Sequence, residues 1–525
     1  MNRSRATLLS LVLLALALRL PWLGAIPNPA GDEGNWAMLA LRLSRGLDAA
    51  LPPDAAFVTT AFARLIAWSF RLFGPSFASA RAVLVAALAL TVIAVARWCE
   101  RPREALAIGL VVALHPWSVM WSRTVCVPYA LALSLGVVGP LAWLDALRTR
   151  RWWSVLLASQ LLGAAMHFSP LALIPIGACA LWALHQRLSW RLVPVALSGF
   201  AHVVPMLVAG AGVVRGYDGR PRHHFTRFAE RVYVYLRTVL GSIDGEATLR
   251  HVTGHELPLA PELLVAAAVI AVLALSARRA PDDTPPARDL SRYAALHMAI
   301  ALIGLPVILS PARPWNLPAI DAERYGFVVV APFALALGAL AERRTRAHLV
   351  AWIAVAWLAL VPTVRLATSL LAGGSADRGF YTLAGGGGYR GWRTPRERVA
   401  MPYLIRDEVD RLRHGGPAHV VMADYTWHPI HMVRAIGRWR WGVTDITKGP
   451  LPERIGVPHL FVVWSDGAFD PSYTPRSVVD DNDRLRAMMH TSAFAGLRRV
   501  RTFLQPDGTP LCELWAATRV APFGR

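Results

Sequence analysis

Long apolar segments recur along the chain from Ala6 to about Leu371 and then stop. Each is rich in Leu, Ala and Val and approaches the roughly 20 residues that an α-helix needs to cross a bilayer. The pattern predicts a polytopic α-helical membrane protein. The predicted spans, about 11 of them by this length criterion, are 6–24, 78–98, 104–121, 126–146, 152–168, 169–186, 192–213, 260–277, 294–310, 325–341 and 348–371.

The first loop has apolar segments of a different kind. Residues 35–47 place their large apolar side chains, from Trp36 to Leu47, at helical spacing with arginines elsewhere, which is typical of a helix lying on the membrane surface. The next segment, ending at Gly74, fits a second such helix, because counting it as a span would invert every later Arg cluster. We therefore expect outer-surface helices over about 35–74.

Composition agrees with a membrane protein: 55% of the 525 residues are hydrophobic, 17% are charged, and the mean hydropathy is +0.39. The net charge of +21 would suggest nucleic acid in a soluble protein, but here the arginines cluster between spans. If the N-terminus is cytoplasmic, every second connection carries one cluster, as the positive-inside rule requires. The clusters are Arg97, Arg101 and Arg103; Arg148, Arg150 and Arg151; Arg187 and Arg191; Arg278, Arg279, Arg288 and Arg292; and Arg343, Arg344 and Arg346.

The odd number of spans then places the tail outside the cytoplasm. Residues 373–395, with four consecutive glycines, predict a linker, and 396–525 predict a small extracytoplasmic α/β domain. In that domain "AHVVMADYT" and "HLFVVWSD" are typical of buried strands, "RVRTFLQPDGTPLCELWAAT" of a hairpin, and "RDEVDRLRH", "PIHMVRAIG" and "DRLRAMMHTSAF" of helices. The basic loop over about 214–259 is expected outside as well. High Arg, Ala and Leu usage with few Lys favours a bacterial source and hence the bacterial inner membrane.

Two adjacent carboxylates, Asp32 and Glu33, follow the first span on the outer side. An ordinary structural explanation exists for both. Asp32 is a good N-cap for the helix over 35–47, and Glu33 suits the positive end of that helix. The four cysteines have neither metal-site nor redox spacing, so we expect no structural role for disulfides.

Several segments in order along the chain carry a resemblance to a known family. They are "LRLPWLGAIPNPAGDEGNWAMLALRL", "WSFRLFGPSFASARAVLVAAL", "LHPWSVMWSRTVCVPYALAL", "AAMHFSPLALIP" and "ERYGFVVVAPFALALGAL", which together cover most of 18–341. In this order they resemble the GT-C superfamily of lipid-phosphate-sugar glycosyltransferases, which includes protein O-mannosyltransferases and the lipid A aminoarabinose transferase. The resemblance implies that residues 1–372 form a transmembrane catalytic domain with the GT-C fold.

The resemblance also implies a reaction and its residues. A sugar would pass from a polyprenyl-phosphate donor to an extracytoplasmic lipid, glycan or protein acceptor with inversion, Asp32 acting as the base and Glu33 as its helper or an acceptor ligand. The residues expected to hold the donor phosphate are Arg324, Tyr325, Arg123, His167 and Arg64. The arginines could instead anchor at lipid headgroups, and His167 could be a helix-end histidine with ordinary hydrogen bonds.

The chain also departs from the family pattern. Many members carry an acidic residue in the second outer loop, where this chain has Val127, Pro128 and Tyr129, so the sequence gives no basis for predicting a divalent metal or another cofactor. That departure keeps an alternative open, a non-catalytic GT-C-like envelope scaffold or lipid-binding protein. A transporter is less favoured, because few polar residues lie deep inside the spans.

Overall fold

The computed structural model of the chain describes most of the helical part and several stretches of the C-terminal part. The described residues are 3–21, 23–24, 33–47, 60–99, 101–125, 128–202, 204, 241–243, 245, 271, 274, 285–309, 325–343, 347–371, 405–423, 441–446, 451, 455, 457–464, 476–490, 494–504 and 510–520. Asp32, Arg324, the linker 373–395, the predicted helix at 429–437, and most of the loop 214–259 and of the span 260–277 lie outside the described residues.

The N-terminal part is helical along its described length. Its helices are α1 (Arg3–Arg19), α2 (Glu33–Ser44), α3 (Ala61–Phe73), α4 (Phe77–Trp98), α5 (Pro102–Leu114), α6 (Pro116–Trp121), α7 (Tyr129–Thr149), α8 (Trp152–Ala165), α9 (Leu173–His185), α10 (Val193–Leu197), α11 (Pro285–Leu309), α12 (Phe327–Ala341) and α13 (Ala347–Leu371). Short 3-10 turns at Pro170–Ala172, Trp190–Leu192 and Ser198–His202 flank α9 and α10. Most of the predicted spans that are described contain a long helix, but in the predicted span 192–213 the described residues form only the short helix α10 and 3-10 turns.

Among the described residues, α4 and α7 have both the length and the apolar composition of a membrane span. Shorter apolar helices include α8, α12 and segments of α1, α9 and α13. The number of spans stays a prediction. The first loop contains helices at Glu33–Ser44 and Ala61–Phe73, within the range expected for surface helices, and their rings of Trp36 and Phe62 meet edge to face at 5.2 Å.

Helix α12 lies at the centre of the bundle. All of its residues are buried, and it packs against α5, α7, α11 and α13. Its approach to α5 is close, because a Cβ added to Gly338 would lie 2.5 Å from a side-chain carbon of Ile108. Any other residue at 338 would require a shift of the Ile108 side chain or of one helix. The uniformly apolar sequence of α12 is consistent with its burial by protein.

The predicted span 104–121 is wrong in one respect, because two helices occupy it. Helix α5 ends at Leu114, and α6 begins at Pro116. Proline disfavours helical geometry in the preceding residue and has no backbone N–H to continue the helix. His115 stands at the break, where its Nδ1 accepts a hydrogen bond from the Trp117 N–H at 3.1 Å.

The C-terminal part contains a five-stranded mixed sheet. The strands are β1 (Ala418–Met422), β2 (Gly442–Asp445), β3 (His459–Trp464), β4 (Phe494–Ala495), β5 (Arg498–Leu504), β6 (Pro510–Ala517) and β7 (Arg519–Val520), and α14 spans Arg476–Met489. The sheet order is β2-β1-β3-β6-β5, with β1 parallel to β2 and β3, and β6 antiparallel to β3 and β5. Strands β4 and β7 form a separate antiparallel pair.

Apolar residues cover both faces of this sheet. One face packs Val420, Phe461 and Leu514 with Ile405 and Val409 of the helical segment 405–412, and the other face packs against α14 through Leu485. Strands β1 and β3 and the β5–β6 hairpin coincide with predicted elements. The helix predicted over "DRLRAMMHTSAF" is wrong at its end, because α14 ends at Met489 and Phe494 lies in β4.

An ion-pair cluster joins the 405–412 segment to the edge strand β5. Glu408 is buried, pairs with Arg411 on its own helical segment, and accepts a hydrogen bond from Arg501 at 2.7 Å. The hydrogen bond from Arg411, together with that from Arg501, holds the pKa of the Glu408 carboxyl below its usual value.

We expect Glu408→Gln to destabilise the C-terminal part by about 1 kcal/mol at neutral pH. Because the pKa of Glu408 is lowered in the folded state, this stabilisation is present above the usual Glu pKa and is lost as the pH falls through the lowered value. Amide hydrogen exchange in β5 measures the effect. Asp407→Asn, at a more exposed carboxylate one residue away, is the control and should change exchange little; equal effects of the two variants would contradict the account.

Candidate functional site

Glu33, one of the two predicted catalytic carboxylates, is the first residue of α2 and is completely buried. Its carboxylate receives two hydrogen bonds from Arg81 of α4, Nε to Oε1 at 3.1 Å and Nη2 to Oε2 at 2.8 Å. Oε1 also accepts from the Thr124 hydroxyl at 2.9 Å and from the Val125 backbone N–H at 2.6 Å. All four donors belong to other elements, so Glu33 ties the start of α2 to α4 and to the loop after α6.

Arg81 links the same point to the end of the first helix. Its Nη1 donates to the Leu23 carbonyl at 2.9 Å, and its guanidinium lies 5.8 Å from the centre of the Phe77 ring. Both members of the Glu33–Arg81 pair have no solvent-exposed side-chain area. Removing one partner of such a pair would leave an uncompensated buried charge, which typically costs about 3–5 kcal/mol.

Arg123 is also completely buried, and its guanidinium donates hydrogen bonds to backbone carbonyls at the C-terminal end of α1. Its Nη1 donates to the carbonyls of Leu18 and Arg19 at 3.1 and 2.8 Å, and its Nη2 donates to the carbonyl of Pro21. The last carbonyls of a helix have no partner within it and carry the negative end of its dipole, so a guanidinium is well placed there.

Arg19, the last residue of α1, contributes a third buried guanidinium group. All five of its N–H groups are used: Nε donates to the Ser122 hydroxyl, Nη1 to the carbonyls of Ala15 and Ala113, and Nη2 to the Val112 carbonyl and the Ser118 hydroxyl. Five matched donors explain how a guanidinium with zero exposed area is tolerated far from water. The residue holds α1 against both α5 and α6.

These arginines come from the segments that carry the family resemblance. Arg19 belongs to "LRL", Arg81 to "ASAR" and Arg123 to "WSR". We call Arg19, Arg81 and Arg123 with Glu33 the buried charge cluster. Within the described residues it holds three guanidinium groups and one carboxylate.

The other predicted phosphate ligands lie in different surroundings. The ring of Tyr325 stacks on Tyr129 at 5.4 Å, and Tyr129 in turn contacts Phe327 at the start of α12. Arg64 is exposed on α3. The Nε2 atom of His167 lies 2.8 Å from Nδ1 of His202, so its polar environment is a histidine pair.

The pair of histidines continues into a longer hydrogen-bond chain. His202 Nε2 contacts the Gln160 side-chain oxygen at 2.7 Å, and the Gln160 amide donates to the Ser198 hydroxyl at 3.1 Å. This chain of hydrogen bonds connects the 3-10 turn at Ser198–His202 to α8.

Of the site residues predicted from the sequence, Glu33 and Arg123 lie in the same cluster, whereas His167 and Arg64 lie on other elements.

His115 and Pro116 of the third resemblance segment hold part of the basic loop. His115 Nε2 lies 2.8 Å from the Ile243 carbonyl oxygen, which makes this nitrogen the protonated one. Gly245 has a φ of +82°, and a Cβ there would lie 2.6 Å from Pro116. Glycine is thus required at 245 by both its backbone angle and the contact.

Sequence reasoning selected Glu33 and Arg123 but missed Arg19 and Arg81 as members of the site. The available signal was an arginine inside or beside a predicted span, because such a residue requires buried partners. Both arginines stood in the quoted segments without being singled out. Among the described residues no group of His, Cys, Asp and Glu has the arrangement of a metal site.

We predict that Glu33→Gln and Arg81→Gln each lower the free energy of unfolding by about 3 kcal/mol, because each leaves a buried charge without its partner. The double variant should lose less than the sum, with a coupling energy of about 1–3 kcal/mol. Thermal unfolding of the protein in nanodiscs measures both effects. Arg64→Gln, at an exposed guanidinium on α3, is the control and should leave the midpoint unchanged; additive losses for the pair would contradict a direct interaction.

Comparison with known proteins identifies the fold. No protein family model matches the chain, and no curated protein matches it. Among solved structures, the crystal structure of ArnT from Cupriavidus metallidurans bound to undecaprenyl phosphate matches with a TM-score of 0.53 and 16% identity, over 97% of this chain and 97% of that chain. The apo structure of the same protein matches with a TM-score of 0.45 and 16% identity, over 98% of each chain.

The first of these likenesses extends over nearly the whole chain and confirms the fold predicted from the ordered segments. ArnT is the lipid A aminoarabinose transferase and has the GT-C fold. At 16% identity the likeness establishes architecture only. The chain has the GT-C fold, that of the membrane glycosyltransferases which its sequence resembles.

Proposed function

We propose that this protein is a membrane glycosyltransferase that transfers a sugar from a polyprenyl-phosphate-linked donor to an extracytoplasmic acceptor. The observation that carries the proposal is the fixed position of Glu33, immediately after Asp32, in a chain with the GT-C fold. The likeness to an ArnT structure that holds undecaprenyl phosphate supports a polyprenyl-phosphate donor. Its place would be the bacterial inner membrane, with a cytoplasmic N-terminus and an extracytoplasmic C-terminal domain.

The reaction requires a base for the acceptor hydroxyl and cations near the departing phosphate. A polyprenyl-phosphate sugar already carries its leaving group, so the enzyme has to deprotonate the acceptor hydroxyl and stabilise the charge that develops on phosphate. Asp32 takes the role of the base. Attack of the acceptor oxygen on the anomeric carbon, opposite the departing phosphate, gives inversion.

Glu33 takes a positioning role in this proposal. Its carboxylate is buried, with Oε1 accepting from Arg81, Thr124 and Val125 and Oε2 accepting from Arg81, so both oxygens are engaged by protein donors. A carboxylate held in this way is a poor base for a substrate hydroxyl. Its effect is to fix where the chain enters α2 and thereby to restrict the position of Asp32.

We likewise propose a positioning role for Arg123 in place of the phosphate contact expected from sequence. Its guanidinium donates to the carbonyls that end α1 and has no exposed area, which supports a structural task. Arg324 with Tyr325 remains our choice for the donor phosphate, and His167 and Arg64 remain candidates.

Asp32→Asn should reduce sugar transfer by about 10²–10⁴-fold, the usual contribution of a general base, while leaving the unfolding midpoint unchanged. The assay follows consumption of a panel of polyprenyl-phosphate sugars by purified protein in nanodiscs, with an envelope extract as the acceptor. Asp48→Asn, a carboxylate in the same loop region of the sequence, is the control and should retain activity. Equal activity of wild type and Asp32→Asn on the consumed donor would overturn the assignment.

Arg324→Gln should weaken donor binding by about tenfold, because one charge-assisted hydrogen bond to phosphate is lost. Arg123→Gln should instead lower thermal stability, since carbonyls at the end of α1 lose their donor. Binding of a polyprenyl phosphate by the purified variants, measured beside their unfolding midpoints, separates the two. The assignment fails if Arg123→Gln weakens binding tenfold at unchanged stability while Arg324→Gln binds normally.

A further inference from the structure

A cavity of about 220 Å³ lies at the opposite end of the helical bundle from the buried charge cluster. It is formed where the C-terminal ends of α4, α7 and α9 meet the N-terminal ends of α5 and α11. On α4, Arg81 and Trp98 are seventeen residues apart, which corresponds to roughly 25 Å along the helix axis. This end carries the Arg clusters that predict the cytoplasmic side, so the cavity is separate from the proposed transferase site.

The cavity presents charges of both signs. Two carboxylates, Glu104 and Asp289, line it together with three guanidinium groups, those of Arg101, Arg148 and Arg150. Such a mixture distinguishes it from an apolar pocket for an acyl chain and from a purely basic site for a simple anion. The matching ligand would carry a cationic and an anionic group close together.

Glu104 is the strongest indication that a cationic group is required. Its side chain is buried, with 7% of its surface exposed, yet it lines the cavity. Among the residues that the structure describes, its carboxylate has the Cys99 thiol within hydrogen-bonding reach and forms no ion pair. Arg101 and Arg148 act on it electrostatically without forming an ion pair. Burial disfavours the charge of a carboxylate, and an ammonium group bound in direct contact would offset this cost.

The remaining lining limits the kind and the size of the ligand. Trp98 and Trp182 lie on the wall, and indole rings attract ammonium groups. Leu141 and Leu144 make part of the wall apolar. The volume of about 220 Å³ is below the roughly 300–1,000 Å³ of pockets for drug-sized ligands, so the occupant is a small group.

We propose that this cavity binds a phosphoethanolamine group, with its ammonium at Glu104 and Asp289 and its phosphate at Arg101, Arg148 and Arg150. The cavity lies at the helix ends, where the headgroups of the cytoplasmic leaflet would be, and this favours phosphatidylethanolamine as the source over a soluble phosphoethanolamine compound. The inference is independent of sugar transfer, and its test uses no activity.

The test measures lipid binding to the full-length protein by native mass spectrometry, after release from nanodiscs of defined composition. Phosphatidylethanolamine is compared with phosphatidylcholine, whose trimethylated amine cannot donate hydrogen bonds, and with phosphatidylglycerol, which has no amine. We expect at least tenfold preference for one phosphatidylethanolamine per protein, a ratio that corresponds to one lost charge-assisted hydrogen bond. Competition by soluble glycerophosphoethanolamine identifies a soluble source, and its failure to compete identifies the lipid.

Variants locate the site. Glu104→Gln and Asp289→Asn should each reduce the phosphatidylethanolamine adduct by about tenfold and leave binding of phosphatidylglycerol unchanged. Arg97→Gln is the control, because Arg97 is exposed on α4 near the same end but lies outside the cavity lining. Equal binding of the three lipids, or a phosphatidylethanolamine adduct that survives both cavity variants, would overturn the proposal.

Discussion

The ion pair between Glu33 and Arg81 is the interaction on which the arrangement of one end of the helical bundle depends, the end that holds the buried charge cluster. It is fully buried, and each partner makes further hydrogen bonds that bring in the chain after α1 and the loop after α6. A buried pair of this kind contributes little net stability compared with an apolar replacement. The pair restricts the placement of α2 relative to α4, because a placement that separated the two groups would leave two buried charges without partners.

The rest of the buried charge cluster extends this constraint to α1. Arg123 and Arg19 donate to backbone carbonyls near the end of α1, and Arg19 also reaches carbonyls of α5 and hydroxyls of α6. Side-chain donors thus replace the water that would otherwise solvate a helix end. These contacts fix the start of α2 and the end of α1 relative to α4, α5 and α6. A base proposed at Asp32, the residue before α2 in the sequence, would require such positioning.

Much of the helical architecture could be predicted because apolar length and Arg placement report directly on membrane helices. The bounds of α4 and α7 nearly match their predicted spans, and the first-loop helices were expected from their amphipathic pattern. The break at His115 was missed, although Pro116 marks it, because the apolar run continues through the proline.

The members of the buried charge cluster were harder to predict from the sequence than the helices. Sequence order suggested that Asp32, Glu33 and Arg123 act together, but Arg81 is 48 residues from Glu33 in the chain. Such a pairing depends on three-dimensional packing that no local pattern encodes.

The most direct test of this account is a cryo-electron microscopy structure of the protein in nanodiscs with undecaprenyl phosphate. The account predicts phosphate density beside Asp32 and Arg324, at the end of the bundle that holds the buried charge cluster, with the Glu33–Arg81 pair intact. Density for undecaprenyl phosphate, recognised by its long prenyl chain, at the Arg101 and Arg148 end, or Arg81 released from Glu33 and bound to that phosphate, would contradict it.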